Sequence, residues 1–476
     1  MRELTDDVFF ATITELNARL RARDFSAMEL ARAYCNRLES LGPRYNALAL
    51  LLREEALLKA KTVDRELKRG RTRDALQGVP YAVKDLLALA GRPTTWGAKP
   101  YAGQVIDTTA TVLTRLEKAG AVLCGKLAMV ELAGGGGYRY AAASLTGPGL
   151  NPWDRSRWAG GSSSGSAAAV AAGLVPFALG SETNGSIVTP AAYCGVTALR
   201  PTYGLVSRAG AMALAWTMDK IGPFARSAED CGLVLSRIAG GDSLDPASAD
   251  KGFHFNPRFA PQLSAVRCGF AEEDIEVASD EALRPALRDA MSVLRGMGLP
   301  MKPAALPDLP YGALTSAIIA SEGSAAFREL IESGRVDMLD DERQIAGLKA
   351  GLEIKACDYL QAMRLRRDVQ ARMARLFAEV DILVSPARFS VATPIGEALD
   401  RPSGPARPGN AGGLRSLISA GNLAGLPALV LPCGFAGNLP VGIQLVGRPF
   451  TENTLLAVGM EYQKRTDWHK KRPGQP

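Results

Sequence analysis

The chain has 476 residues, 47% of them hydrophobic and 22% charged, which suits a large folded core and a globular enzyme rather than a disordered or membrane protein. Its net charge of +7 is spread among acidic residues, and the one dense basic cluster, His469-Lys470-Lys471-Arg472, reads as a solvated tail rather than a nucleic-acid surface. Seven cysteines without C-x-x-C spacing exclude a zinc ribbon or a disulfide framework and point to a reducing cytoplasm. The first residues lack a signal-peptide pattern, and the apolar runs 167–179 and 417–435 are too broken to cross a bilayer.

In chain order, residues 13–40 are predicted helical, with a break and cap at Asp24 and Ser26. Residues 46–69 predict a second helix, Val79–Val83 a buried strand, Thr108–Ala119 a helix and Ala121–Cys124 a strand. Asn151–Trp158 reads as polar and irregular, Ser166–Ala172 as an Ala-rich helix and Leu174–Leu179 as a strand. A loop is expected over 241–262 and mostly helix over 263–380, closing with a long basic helix from Asp358 to Val380. Asp381–Val384, Leu429–Leu431 and Gly442–Val446 are expected strands, 390–413 an irregular loop that could serve as lid or pocket wall, and Thr454–Arg465 the last helix. The alternation predicts an α/β fold around a largely parallel sheet.

Two glycine-serine segments carry the chemical signal: Gly160 to Ser166 and Gly180 to Ser186. Each can bring backbone N–H groups and a hydroxyl close to a substrate. The chain has only two histidines, His254 and His469, and neither stands in a motif, so a Ser-His-Asp site is disfavoured. A G-x-S-x-G string around Ser163 lacks the preceding strand of a nucleophile elbow. No metal-ligand cluster is evident, and the first segment lacks the Gly-Lys-Ser/Thr ending of a nucleotide loop. A lysine base remains: Lys84 ends the apolar run from Val79, and a buried amine can lose its proton near neutral pH.

The combination resembles the amidase signature family along nearly the whole chain. The matching stretches are Gly160 to Ser166, Asn184-Gly185-Ser186-Ile187, Pro80-Tyr81-Ala82-Val83-Lys84-Asp85, Asn151-Pro152-Trp153-Asp154, Arg200-Pro201-Thr202-Tyr203-Gly204 and Gly421 to Pro427. The resemblance implies a mixed, mostly parallel twisted sheet with helices on both faces. It also implies one amidase domain over 1–476: N-terminal helices (1–70), a catalytic core (75–240), a mostly helical pocket region (241–380) and closing strands and helix (381–476). It implies Ser186 as nucleophile, Ser162 as a proton-relaying serine after a cis peptide bond, and Lys84 as base. Backbone N–H groups of Thr183, Asn184, Gly185 and Ser186 would form the oxyanion hole, and no cofactor or metal is required. Asn184 stands where many relatives have glycine; it tolerates a left-handed backbone and its side chain would meet the substrate. Val188-Thr189 follows where many relatives have arginine.

Gly134–Gly137 aligns with a stretch lining the acyl pocket in relatives, so Gly135 and Gly136 are expected to leave room for substrate. Met212, Leu214, Trp216 and Met218 are expected over the site, with Met212 and Trp216 contacting an aryl or alkyl group. The implied activity is a serine amidohydrolase acting on amides, anilides, some esters and carbamates, since the block Ser181–Asp230 is similar to urethanases of the family. The implied alternative is the amide-transferring component of a tRNA-dependent amidotransferase. The expected partner is a small-molecule substrate, with no nucleic acid or membrane, in a monomer or homodimer.

Overall fold

A computed structural model describes residues 4–256, 262–399 and 413–474. Its strands are β1 (Leu48–Leu51), β2 (Pro80–Lys84), β3 (Val122–Leu127), β4 (Leu150–Asn151), β5 (Asp154–Trp158), β6 (Phe177–Glu182), β7 (Thr197–Arg200), β8 (Lys220–Ala225), β9 (Cys268–Phe270), β10 (Met301–Pro303), β11 (Ile382–Pro386), β12 (Ala428–Ala436) and β13 (Leu439–Gly447). All but β4 and β5, which form a separate small hairpin, join one sheet in the order β1-β3-β2-β6-β8-β7-β12-β13-β11-β9-β10.

Every residue of β2, β7, β8, β11 and β13 is buried. Successive strand residues point to opposite faces, so both faces of the sheet are covered, here by helices. This is the large mixed α/β sheet expected from the sequence. Parallel pairing, however, is confined to β3-β2-β6 and β11-β9-β10. The other neighbours run antiparallel, because β12 and β13 form a hairpin and β7 and β8 pair with reversed direction. The expected parallel bias therefore holds only around β2 and at the far edge.

The predicted break in residues 13–40 is a turn between helices Ile13–Ala22 and Ala27–Leu41. Capping boxes Thr12/Glu15 and Ser26/Glu29 start the two helices by satisfying their free N–H groups. The predicted helix 46–69 is shorter, Arg53–Lys68, because Leu48–Leu51 leaves it to pair with β3. Asn151–Trp158 is not irregular: its end forms β5. Within 263–380, β9 and β10 were hidden as three-residue strands, too short to show a period. The expected loop 390–413 lies from residue 400 to 412 outside the described residues. None of the described helices is long and apolar enough to cross a membrane.

What positions the site is the central strip β3-β2-β6. Tyr81 of β2 stacks on Phe177 of β6, with ring centroids 5.1 Å apart and planes at 1°. The register Tyr81–Phe177, Ala82–Ala178, Val83–Leu179 brings the carboxyl ends of two parallel strands side by side. Lys84 is the last residue of β2 and Glu182 the last of β6. In open α/β sheets this carboxyl end is where ligands bind.

Candidate active site

Strand alternation sends Lys84 and Asp85 in different directions. Asp85 pairs with Lys126 at 2.7 Å, both side chains buried, and takes the Thr95 N–H at 3.0 Å. Lys84 is left without a carboxylate in contact. Its Nζ lies 2.7 Å from the Ser162 hydroxyl and 2.9 Å from that of Ser181. The residue is 0% exposed. Burial lowers its pKa to about 7, against the opposing charges of Asp219 and Glu182. The ammonium loses its hydration there without gaining a close counter-charge.

The first glycine-serine segment leads into an Ala-rich helix, Ser164–Ala171, buried at every position. The Gly161–Ser162 peptide bond is cis. Small residues let this helix approach its neighbours: a Cβ on Gly165 would stand 2.5 Å from the Ala47 carbonyl oxygen. The two segments are joined through Ser163, whose Oγ donates to Ser181 O (3.1 Å) and accepts from Ser181 N (3.2 Å). Ser166 donates to Leu179 O at 3.0 Å. Ser162 is thereby set between the end of β2 and the turn after β6.

That turn runs from Thr183 to Ile187 and enters the short helix Val188–Cys194. Its left-handed residue is Gly185, φ 84°, while Asn184 is not at positive φ. The tolerance of asparagine for that conformation is therefore not what preserves the turn. Among the described residues the N–H groups of Thr183, Asn184, Gly185 and Ser186 meet no acceptor. Those of Ile187 and Val188 are taken by Glu182 Oε2, at 2.7 and 3.0 Å. Glu182 Oε1 in turn accepts from Arg200 Nη1 and Asn422 Nδ2, each at 2.7 Å. Burial pushes the Glu182 carboxyl up, but Arg200 and these hydrogen bonds outweigh it and lower its pKa to about 2. On the other flank Thr183 Oγ1 donates to Asp219 at 2.6 Å, and Asp219 accepts from Leu214 N and Ala215 N at 2.8 and 3.0 Å. The buried Glu182 and the half-buried Asp219 thus fix the two sides of the turn.

Ser186 and the exposed Asn184 open into a cleft of about 320 Å³, shared with Thr183, Gly161, Tyr138, Trp158, Arg343 and Arg388 among others. The Asn184 amide oxygen lies 3.5 Å from Asn422 Nδ2. Of the glycine run, Gly134 and Gly137 line the cleft and Gly135 and Gly136 do not. A Cβ on Gly136 would lie 2.4 Å from Gln344 O at a φ of 83°, so that glycine serves close packing against helix Glu342–Gly351. Met212 and Trp216 line a second cavity of about 170 Å³, which reaches Ser181, Asp219 and Lys220. It adjoins the first across Ala133, Thr183 and Leu214, which line both.

Sequence reasoning missed Tyr138, Trp158, Ser181, Glu182, Arg343 and Arg388. Only Ser181 and Glu182 had a local signal, as part of the second segment. His254 is exposed, and its carbonyl accepts from Asn453. The His469 and Lys471 carbonyls accept from Arg226 at 2.9 and 3.0 Å, so the basic tail is docked along its backbone while its lysines face solvent. No group of His, Cys, Asp and Glu among the described residues is arranged to hold a metal ion.

Comparisons agree on what this arrangement is similar to. The sequence profile described as Amidase matches residues 29–456. The A component of the glutamyl-tRNA(Gln) amidotransferase of Chloroflexus aggregans is 37% identical over 98% of this chain and 99% of its own. The solved peptide amidase of Stenotrophomonas maltophilia is 31% identical, covers 98% of both chains and superposes with a TM-score of 0.84. The corresponding glutamyl-tRNA(Gln) amidotransferase component of Thermotoga maritima is 27% identical over 98% of this chain and 97% of that one, with a TM-score of 0.79.

Proposed function

From the premise that this chain belongs to the amidase family, we propose that it cleaves amide C–N bonds by transferring the acyl group to Ser186. The observation that carries this reading is Lys84, wholly buried, 2.7 Å from Ser162 and with a pKa lowered to about 7. In its neutral form Lys84 takes the proton of Ser162, and Ser162 takes that of Ser186. The Ser186 oxygen then bonds to the carbonyl carbon, and the carbonyl oxygen becomes an oxyanion held by N–H groups of the turn from Thr183 to Ser186. As the intermediate collapses, the C–N bond breaks and the amine leaves with a proton returned through Ser162. Water, deprotonated by the same relay, splits the acyl-enzyme and regenerates Ser186. Carbamates, anilides and esters present the same electrophilic carbon; we extend the proposal to them as substrates.

A second reading is that the released nitrogen is passed on rather than lost. The 37% identity to an amidotransferase component over nearly the full chain favours it over the free-standing hydrolase. The higher similarity to the solved peptide amidase than to the solved amidotransferase component weighs the other way. Both readings share the Ser186 acyl-enzyme. The deciding experiment incubates the purified chain alone with a panel of aliphatic amides, anilides, aryl carbamates and glutamine, alongside a pull-down from its host. Multiple turnover by the isolated chain supports the hydrolase. Slow glutamine cleavage that accelerates with a co-purifying partner supports the transferring component. Inertness towards every substrate in both settings would overturn the proposal.

A further inference from the structure

The cleft beside Ser186 holds more hydrogen-bond donors than the cleavage chemistry uses. The indole Nε1–H of Trp158, a residue only 6% exposed, is buried and meets no acceptor among the described residues. The Nε–H of Arg388 is buried in the same state. Buried donors are nearly always paired, and leaving one unpaired costs about 1–3 kcal/mol. Both of these residues line the one cleft, and among the described residues no carboxylate lines it.

The two donors are held in place. Arg388 follows β11, anchored there by the bond from Ala387 N to Gly442 O at 2.9 Å. Its guanidinium lies over the Tyr193 ring, 5.7 Å from the centroid. Tyr193 meets Trp158 edge to face at 6.3 Å, and Trp158 meets Tyr138 in the same manner at 6.1 Å. The edge of the indole next to its nitrogen lies beside Gly161, the residue before Ser162. A Cβ on Gly161 would stand 2.7 Å from Trp158 Cζ2, two bonds from Nε1. The rest of the wall is mixed: Thr183, Asn184, Thr189 and Arg343 are polar, while Leu214, Ile319 and Leu399 form an apolar side that suits a short carbon spacer.

We propose that the substrate cleaved at Ser186 carries a carboxylate, bound by the Arg388 guanidinium and the Trp158 indole N–H. This rests on the amidase reading of Ser186 and names the substrate class for it. Charge-assisted bonds to a fixed guanidinium are the strong kind.

The test uses 4-nitroanilides of malonic, succinic and glutaric half-acids, each beside its methyl ester, which keeps the scissile bond and removes the charge. For the best spacer, kcat/KM for the acid exceeds that for the ester by at least tenfold, mainly through KM. Arg388→Gln and Trp158→Phe each reduce this acid-to-ester ratio, Arg388→Gln by about tenfold or more. Wild-type enzyme that prefers the ester at every spacer length overturns the inference while leaving the amidase reading intact. So does a ratio that neither variant moves. Failure to cleave any acid, ester or simple acetanilide removes the amidase reading itself, and the inference with it.

Discussion

The proposed role of Lys84 as base requires its neutral form, so the pH profile of kcat/KM tests the site directly. With a pKa of about 7, the neutral amine makes up about half of the enzyme at pH 7, about a tenth at pH 6 and about a hundredth at pH 5. A solvated lysine at 10.5 would be neutral in roughly one molecule in three thousand at pH 7. Burial is therefore worth a factor of about a thousand in available base, or about 4 kcal/mol of barrier. The expected profile falls about tenfold per unit below pH 7 and levels off above it. Lys84→Arg keeps the charge but holds its proton throughout, so it is expected to lose at least about 10³-fold, as Lys84→Ala does. The assay is initial-rate hydrolysis of an anilide between pH 5 and 9, with stability checked at each pH. A profile flat down to pH 5, or an active Lys84→Arg enzyme, would refute a lysine base. The same shift has a thermodynamic face. Between about 7 and 10.5 the unfolded chain holds a proton on Lys84 that the folded chain lacks, so this residue lowers stability as pH falls across that window. Lys220, also lowered to about 7 by burial, contributes over the same window, so Lys84→Met is expected to reduce that slope by about one proton's share in denaturant titrations.

Ser186→Ala is expected to abolish turnover, and Ser162→Ala to reduce kcat by about 10²–10⁴-fold with little change in the melting temperature; a wild-type rate in either variant refutes its role. Glu182→Gln leaves Arg200 buried beside a neutral amide and is expected to cost about 3–5 kcal/mol, read as a lowered urea midpoint. Because its pKa is lowered to about 2, the Glu182 contribution to stability is complete above the ordinary value of 4.5 and is lost as pH falls towards 2. An acid unfolding curve identical in wild type and Glu182→Gln contradicts this. Gly136→Ala, at φ 83° and 2.4 Å from a carbonyl oxygen, is expected to lose about 1–3 kcal/mol or more, and an unchanged midpoint would show that the loop yields freely.

Family membership and the α/β sheet were legible because they rest on local signals: the apolar run into Lys84, the two glycine-serine segments and their spacing. The proposed triad residues lie in those segments for the same reason. The cleft wall was not legible, because it is assembled by topology. Trp158 ends a two-stranded hairpin, Arg388 follows β11 and Arg343 begins a helix, and no spacing links them. The glycine run misled in a specific way. Four glycines suggested empty space, but Gly136 answers a neighbouring carbonyl and Tyr138 occupies the cleft beside Gly134. The direction of Asp85 was not legible either: it stands next to Lys84 in sequence, but its carboxylate goes to Lys126.

That division between Lys84 and Lys126 explains how the site keeps a neutral amine at all. Three lysines, Lys84, Lys126 and Lys220, and two carboxylates, Asp85 and Glu182, lie buried around the ends of β2, β3 and β6 and the start of β8, with the half-buried Asp219 beside them. Had Asp85 faced Lys84, the pair would be a closed ion pair and the lysine would stay protonated at neutral pH. Instead each carboxylate is taken up elsewhere: Asp85 by Lys126, Glu182 by Arg200 and two amides, Asp219 by Thr183 and two amides. Lys84 is left with two hydroxyls, which solvate an amine without fixing its charge. The same bonds that occupy Glu182 and Asp219 hold the turn bearing Ser186 from both sides, and the N–H groups from Thr183 to Ser186 meet no acceptor among the described residues. Arg200→Met, leaving the Glu182 carboxylate without its cation, should therefore disturb both properties together. The freed charge favours protonated Lys84, so the rate profile moves to higher pH, and the loosened turn lowers kcat at the plateau. A plateau loss with no movement of the profile would separate the two roles and break this account of the site.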